Sequence, residues 1–415
     1  MMVSEVTHFT LDNGLRVVHQ QDDSVAMATL NVLYNTGARD EDPEMTGMAH
    51  LIEHLMFSGS ANVPDYDGEL QMAGGVSNAW TSNDFTNFYS VIPAVNVETA
   101  FRLESDRMLA PAISEENLNV QRSVVIEEFK QQCLNQPYGD LWHSLRRMAY
   151  KVHPYRWPVI GMTPEHLERV SREDVARFLE RRYAPGNAVL AVTGNVSLDD
   201  TVRMARKWMG EIPARTVTPH TYQREPEVTA PRFAEVTGNV PQTAIVACWP
   251  MDRYGTQGYR SADALTDILS NGESSRFYRN LLVGTDLFSD VDASIMGSED
   301  EGLLMVKAML RENGAQAEAA AMRAIDDEIA RLKDSGVTQH ELDRAANKFE
   351  SNHLFSNLHF SQRAQTLAAD TLHDEPYGSQ AAVYRELTTS DLESTARDLL
   401  VPEKKMTLIY RPANG

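Results

Sequence analysis

Three residues near the start of the chain have types and spacing that suit metal-assisted hydrolysis. His50 and His54 lie four positions apart, so on a helix both imidazoles share one face and can bind one tetrahedral ion. Glu53 precedes His54 and can lean over the same face, where a carboxylate can take a proton from metal-bound water. The pattern H-x-x-E-H is the inverse of H-E-x-x-H. By itself it leaves open a solvated helix face with an incidental pair of histidines.

A catalytic zinc site needs a third protein ligand and leaves the fourth position to water. The helix predicted over residues 118–130 offers two neighbouring carboxylates, Glu127 and Glu128. Glu128 shares a stripe, which is predicted to face inward, with Gln121, Val124 and Val125. Since a buried carboxylate is costly unless it meets a cation, we predict Glu128 as the third ligand and expect Glu127 to point away. An interhelix salt bridge is the alternative reading of Glu128.

The elements that carry these residues recur later in the chain. A predicted strand from Met27 to Leu33 runs through a polar loop into the helix of residues 50–55, and residues 244–249 run likewise into residues 264–269. Downstream, the helices predicted over residues 97–109 and 317–332 are each followed by a second helix, for which Ser114 and Thr338 are plausible N-caps. A further local prediction is a hairpin turned at Asn13-Gly14. These correspondences predict two copies of one plan.

The two copies differ in their chemistry. Where the first has His50, Glu53, His54 and Glu128, the second has Ala264, Asp267, Ile268 and Asn352. A proline-containing polar stretch separates the copies. We therefore predict a metal-bearing half at residues 1–212, a linker at 213–232 and a similar half without metal at 233–415.

The bulk composition is that of an ordinary globular enzyme, with 42% hydrophobic and 23% charged residues among 415. The net charge of −21 argues against a nucleic-acid partner. No apolar run approaches the roughly 18 residues of a membrane span, and the first residues lack the pattern of a secretory signal. With Cys133 and Cys248 as its two cysteines, the chain is not expected to depend on disulfides, and we predict a cytoplasmic location without a membrane partner.

Eight segments, in this order, carry a resemblance to a known family. They are residues 11–15 (LDNGL), 37–41 (GARDE), 47–60 (GMAHLIEHLMFSGS), 78–82 (NAWTS), 124–128 (VVIEE), 153–161 (HPYRWPVIG), 184–188 (APGNA) and 274–278 (SSRFY). Together they resemble the insulinase/pitrilysin/mitochondrial-processing-peptidase family of zinc peptidases over nearly the whole chain.

The resemblance implies an α+β fold of the mitochondrial-processing-peptidase type. Each of two similar halves would be a mostly antiparallel sheet flanked by helices, and the chain would form half of a clam-shell around a chamber that admits unfolded peptides. It also implies Zn²⁺ as the cofactor, with Glu128 as third ligand. The segment holding Asn78, Ala79 and Trp80 would be an edge strand that pairs with the substrate backbone. Phe57 would line the pocket for the residue after the cut, although Phe57 and Trp80 could equally be core aromatics.

Two departures from the family pattern bear on activity. Many members have a glutamate seven residues before the third metal ligand, beside the site, where this chain has Gln121. Active single-chain and homodimeric members usually carry an Arg and a Tyr that bind the scissile carbonyl, and the corresponding positions here are Leu282 and Ser289.

We therefore expect a zinc endopeptidase whose bound water is activated by Glu53, acting as a dimer. A heterodimer with a homologous subunit that supplies Arg and Tyr is slightly favoured over a homodimer. The alternatives are a weakly active or scaffold subunit, and a homodimer in which Tyr278 or Arg276 replaces the missing donors.

Overall fold

The computed structural model describes residues 5–413, which form two compact units. The first runs to Phe129 and adds Trp157–Tyr222 and His353–Ser379. The second consists of Lys130–Arg156, Gln223–Asn352 and the chain from Gln380 onward. The units thus do not follow chain order, and the domain boundaries at 212 and 232 stay a prediction. In the described chain no helix or strand lies between Ile212 and Arg232.

The first unit is built on a six-stranded sheet with strand order β1-β2-β6-β3-β5-β4. Its strands β2 and β6 are parallel and the other neighbours are antiparallel. The β1–β2 pair confirms the hairpin predicted at Asn13-Gly14. The strands are β1 (Val6–Thr10), β2 (Arg16–Gln21), β3 (Met27–Tyr34), β4 (Val76–Thr81), β5 (Thr86–Pro93) and β6 (Ala188–Gly194).

The second unit repeats this plan with five strands in the order β7-β11-β8-β10-β9. Its strands β7 and β11 are parallel and the others antiparallel, so the sheet matches β2-β6-β3-β5-β4 strand for strand. The predicted α+β fold with two similar halves is confirmed. The strands are β7 (Arg232–Gly238), β8 (Ala244–Met251), β9 (Phe288–Met296), β10 (Gly302–Leu310) and β11 (Met406–Pro412).

Helices cover the sheets of both units. Those of the first half are α1 (Met48–Leu55), α2 (Tyr66–Met72), α3 (Val97–Leu109), α4 (Glu115–Phe129), α5 (Leu141–Ala149), α6 (Pro164–Arg169), α7 (Arg172–Arg182) and α8 (Leu198–Met204). Those of the second half are α9 (Gln257–Ser270), α10 (Ala315–Ser335), α11 (Gln339–Ser356), α12 (Phe360–Leu372), α13 (Ser379–Arg385) and α14 (Thr389–Leu399). No helix in the described part of the chain has the length and apolar character required to cross a bilayer.

Two helices are exchanged between the halves of the sequence. Helix α5, from the first half, packs on β7 and β11 of the second unit, whereas α12, from the second half, packs on β6 and β3 of the first. In α12 the apolar residues Ala364, Leu367 and Ala368 are fully buried in a cluster with that sheet. Each sheet therefore has both faces covered, one of them by a helix from the other half of the chain.

The predicted helix starts agree with the structure. The Ser114 hydroxyl accepts a hydrogen bond from the Asn117 amide at 3.0 Å, and the Thr338 hydroxyl accepts one from the Glu341 amide at 3.2 Å. Both residues occupy the N-cap role that satisfies free backbone donors of a helix. The equivalent helices α4 and α11 are thus started by equivalent side chains.

Candidate metal centre

Helix α1, which carries the H-x-x-E-H pattern, is capped at its N-terminus by a carboxylate from the preceding segment of the chain. Its N-cap is Gly47, at φ 90°, where a Cβ atom would lie 2.9 Å from the Ile160 carbonyl oxygen, so this position favours glycine. Glu41 supplies the missing cap: its two carboxylate oxygens accept from the Gly47 amide at 2.9 Å and the Ala49 amide at 2.7 Å. The buried Glu41 therefore fixes the first turn of the helix.

The packing of α1 determines which way its histidines face. Leu51, Ile52 and Leu55 are fully buried in the core, which leaves His50 and His54 half-buried on the remaining face. Their ring centroids lie 4.8 Å apart with the rings nearly perpendicular, at 89°. The i,i+4 pair therefore converges as the sequence predicted.

Glu128 reaches the same place from α4, which packs on α1. Its Oε2 lies 3.8 Å from His50 Nε2 and 3.6 Å from His54 Nε2. The neighbouring Glu127 is exposed, as predicted. The inward stripe was only partly right: Val125 is fully buried, but Val124 is 46% exposed, because the stripe straddles the boundary between the packed and the open side of α4.

These three side chains fit a zinc ion. Their donor atoms all lie within 4.8 Å of one another, and no other such group of three His, Cys, Asp or Glu occurs among the described residues. Donors about 2.1 Å from one tetrahedral ion would lie roughly 3.4 Å apart, which is close to the Nε2–Oε2 distances found. Burial, with a smaller contribution from His54, lowers the pKa of His50 to about 4, so this imidazole is neutral, as a metal ligand must be.

Glu53 lies on the same helix but is bound to the sheet. Its Oε2 accepts a hydrogen bond of 2.5 Å from the Thr81 hydroxyl at the end of β4. Burial raises the pKa of Glu53, the hydrogen bond from Thr81 opposes this, and the charge of Glu128 adds to it. A raised pKa moves a carboxylate towards the range that suits a general base.

Gln121 lies on α4, seven positions before Glu128, and its side chain contacts the segment that follows α1. The Gln121 amide donates to the Ser58 hydroxyl at 3.3 Å. His50 Nδ1 has no hydrogen-bond partner among the residues that the structure describes. The structure thus assigns Gln121 a contact with the loop after α1, and its effect on the metal stays a prediction.

Strand β4 is the free edge of its sheet, as expected for the segment with Asn78, Ala79 and Trp80. Because the Ser82 amide donates to the Phe85 carbonyl, the alternation of an antiparallel ladder turns the backbone groups of Thr81 and Ala79 towards the open edge. In agreement with this, the Ala79 amide donates its hydrogen bond to the Asn78 side chain, at 2.8 Å, and not to β5. The edge therefore has backbone groups available for an added strand.

The two predicted aromatic contacts have different surroundings. The Trp80 ring is 37% exposed and its Nε1 donates to Gln365 Oε1 at 2.8 Å, so it is not a core residue. Phe57 is half-buried against the core, with ring centroids 6.3 Å from Tyr66 and 6.2 Å from Phe88. For both residues, a role in substrate binding stays a prediction.

In the second unit, the residues at the positions where the family has its carbonyl-binding Arg and Tyr make contacts within the unit. Leu282 packs on the core, and the Ser289 hydroxyl donates to Gln242 Oε1 and the Met309 carbonyl at 3.3 Å each. The buried Arg276 makes two hydrogen bonds to Glu341, at 2.8 and 2.9 Å. The Arg276 side chain is thus hydrogen-bonded to the first turn of α11.

Sequence reasoning missed two residues that hold the centre. Glu41 stood in the GARDE segment and Thr81 in the NAWTS segment of the predicted edge strand, but neither was assigned a contact with helix α1. A glutamate six positions before a glycine N-cap and a hydroxyl on the predicted edge strand were the available signals. Neither signal reveals, from the sequence alone, which atoms the side chain contacts.

The fold and this cluster define a class: a two-sheet α+β protein with a candidate metallohydrolase centre on one of its two similar units. The chain belongs to the insulinase family, peptidase family M16. Residues 16–161 match the family model described as insulinase (peptidase family M16), and residues 169–349 match the one described as the peptidase M16 inactive domain. The second match agrees with the absence of metal ligands at positions 264 and 268, which lie within it.

Relatives and solved structures agree with this assignment. The chain is 28% identical over 412 residues to the zinc protease PqqE of Helicobacter pylori, covering 97% of this chain and 92% of that protein. A crystal structure of a protease from Helicobacter pylori superposes with a TM-score of 0.91 at 25% identity, covering 99% of this chain and all of the other. Pitrilysin shares the fold, with a TM-score of 0.76 at 17% identity, and this chain spans 45% of its length.

Proposed function

We propose that the chain is a zinc endopeptidase that hydrolyses unfolded peptides. The observation that carries the proposal is the meeting of His50, His54 and Glu128 beside Glu53. Three protein ligands with a fourth position left open are typical of catalytic zinc, whereas structural sites use four. Relatives named zinc proteases support the same conclusion.

In this proposal His50, His54 and Glu128 hold the metal and Glu53 moves protons. A bound zinc ion would supply Lewis-acid polarisation and make water a nucleophile near neutral pH. Glu53 accepts the proton of the attacking water and passes it to the leaving amine. The hydrogen bond from Thr81 holds one oxygen of Glu53 and leaves the other for this exchange.

The free edge of β4 is the proposed site of peptide binding. Backbone groups of Ala79 and Thr81 would pair with an extended segment, which grips many sequences alike because main-chain bonds give the affinity. A folded protein has its own backbone groups already paired, so unfolded peptides are preferred. Phe57 would contact the side chain after the cut and favour an apolar or aromatic residue there.

The experiment compares wild type, Glu53→Gln and Glu127→Gln on a mixed fluorogenic peptide pool. We expect Glu53→Gln to keep stoichiometric zinc and to lose about 10²–10⁴-fold in rate. Glu127→Gln is the matched control, one removed carboxylate on an exposed position beside the ligand, and should behave as wild type. Removal of zinc by a chelator should stop turnover, and added zinc should restore it. Undiminished hydrolysis by Glu53→Gln would exclude its role as base.

A second candidate is a zinc-bearing subunit that is weakly active alone. It is favoured by Leu282 and Ser289, which supply no carbonyl-binding pair, and by the engagement of Arg276 with Glu341. Loss of one oxyanion donor costs roughly 10²–10³-fold in rate. This candidate predicts slow turnover by the pure chain and acceleration by a homologous subunit that carries Arg and Tyr. Fast turnover by the pure homo-oligomer, unchanged by that subunit, would exclude it, and a chain without zinc would point to a scaffold.

A further inference from the structure

Thr81 connects two parts of the proposed site. It is the last residue of β4, and its backbone groups face the open edge by the alternation that the Ser82 amide establishes. Its hydroxyl, on the other hand, donates to Glu53 Oε2 at 2.5 Å. One residue thus touches both the edge where a peptide would pair and the carboxylate that would move protons.

The hydrogen bond restricts a flexible side chain. A glutamate has three rotatable bonds, and ordering such a side chain costs rotamer entropy. Glu53 is half-buried between α1 and the sheet, and within the described chain the side-chain hydrogen bond on its carboxylate comes from Thr81. A hydrogen bond to an ionised group is among the stronger kinds. The contact therefore selects one position of the carboxylate.

Other features of Thr81 have a purely structural explanation. Threonine is common in strands because its branched side chain fits the pleated surface. That role needs the shape of the side chain and not its hydroxyl, so valine would fill it equally well. The hydroxyl is the part that the fold does not require.

We propose that Thr81 is a positioning residue for Glu53, and that it ties the general base to the strand on which the peptide binds. The proposal rests on the proposed function, since it gives Thr81 a role only if Glu53 acts on bound substrate. A peptide that pairs with the edge would meet a base already held at a fixed distance from the strand. A displacement of about 1 Å in such an arrangement can cost roughly 10²-fold in rate.

The test compares Thr81→Val, which keeps the shape, with Thr81→Ser, which keeps the hydroxyl. We expect Thr81→Val to bind zinc as wild type does, to keep KM within about twofold, and to lose roughly 10–100-fold in kcat. Thr81→Ser should recover most of that rate. In crystals of zinc-loaded Thr81→Val, the Glu53 carboxylate should leave the position it has in wild type.

Each contrary result has its own meaning. An active wild type with an equally fast Thr81→Val overturns the proposal, as does a raised KM with unchanged kcat, which would make Thr81 a binding residue only. Failure of Thr81→Ser to recover the rate also overturns it. If the zinc-loaded wild type cuts no peptide, the proposed function fails. The crystal structures then decide whether Thr81 positions Glu53, and an unmoved carboxylate in Thr81→Val would overturn that too.

Discussion

The two units share a scaffold and differ in what one pair of helices presents. Helices α1 and α4 of the first unit correspond to α9 and α11 of the second by their place in the strand order, and α4 and α11 also share hydroxyl N-caps. At the positions of His50 and His54 the second unit has Ala264 and Ile268, which are 4% and 0% exposed. The second unit thus fills with apolar core the face that the first leaves half-open. The comparison indicates that the shared scaffold can be built without a metal site.

Helices α4 and α11 are related by an offset of 224 positions, which joins Ser114 to Thr338 and Glu128 to Asn352. The same offset relates Glu104–Arg107 on α3 to Glu328–Arg331 on α10, and both are ion pairs. In the first unit both side chains are 3% exposed, whereas in the second Glu328 is 1% and Arg331 56% exposed. The two units thus carry the same ion pair at equivalent positions, with its arginine buried in the first unit and exposed in the second.

The largest expected effect is on zinc binding, which should be confined to the first unit. Glu128→Gln should weaken zinc binding by more than about 100-fold, since even indirect partners of a metal cost 10–100-fold. Zinc per chain after dialysis gives the measurement, with Glu127→Gln as the control on the same helix. In the second unit, Asn352→Glu should gain no zinc, because positions 264 and 268 offer no ligand. Full occupancy in Glu128→Gln would refute the ligand assignment and turn attention to Glu127.

The next effect compares the two ion pairs. Arg107 lies over the rings of Tyr66 and Phe88 at 4.5 and 4.4 Å from their centroids and pairs with Glu104. Arg107→Met should lower the free energy of unfolding by about 3–5 kcal/mol, because it leaves Glu104 buried without its cation. Arg331→Met should cost less, because Arg331 is itself exposed and the buried Glu328 keeps the hydrogen bonds that the Asn280 amide donates to it at 3.1 Å. Urea denaturation measures both, and equal losses would show that burial does not distinguish the pairs.

A third effect concerns a buried carboxylate held by amides. Burial raises the pKa of Glu41 to about 8, against the hydrogen bonds from Ala49 and Gly47, while the charge of Asp40 adds to the rise. A raised folded-state pKa gives stability that is present below pH 4.5 and is lost as the pH rises through about 8. We expect a loss of a few kcal/mol over this range, at about 1.4 kcal/mol per unit of pKa difference. Unfolding of Glu41→Gln should lack this slope, and an unchanged slope would exclude Glu41 as its source.

The smallest effect is a pH dependence of stability of opposite sign, expected in the second unit. Burial alone would raise the pKa of Glu341, but hydrogen bonds from Arg276 and Thr338 outweigh it and lower the pKa to about 2. The stability from this pair is present above pH 4.5 and is lost as the pH falls towards 2. Glu341→Gln should remove about 1–2 kcal/mol of that acid-side loss, allowing for solvent screening. Identical acid unfolding of Glu341→Gln and wild type would contradict the assignment.

Local pattern predicted much of the fold. Turn chemistry at Asn13-Gly14, the N-caps Ser114 and Thr338 and the repeated strand–helix order all act over a few residues, so a sequence shows them directly. The convergence of His50 and His54 follows from helix spacing, and Glu128 from its place beside Val125. Zinc binding, the partner subunit and the cytoplasmic location stay predictions.

What the sequence did not predict depends on long-range packing. The exchange of α5 and α12 is one example, because a helix with one apolar face can cover either sheet and its periodicity does not say which. The exposure of Val124 depends on how far α1 covers α4. The contact of Thr81 with Glu53 joins a strand to a helix, and no spacing rule relates the two.

The most direct test of the central claim is anomalous diffraction at the zinc absorption edge from crystals grown with zinc. The account predicts one peak about 2.0–2.2 Å from His50 Nε2, His54 Nε2 and a Glu128 oxygen, with Glu53 beside it but not bound to it. It predicts no peak near Ala264, Ile268 and Asn352. Absence of a peak at the three ligands, or a peak held by other residues, would contradict the account.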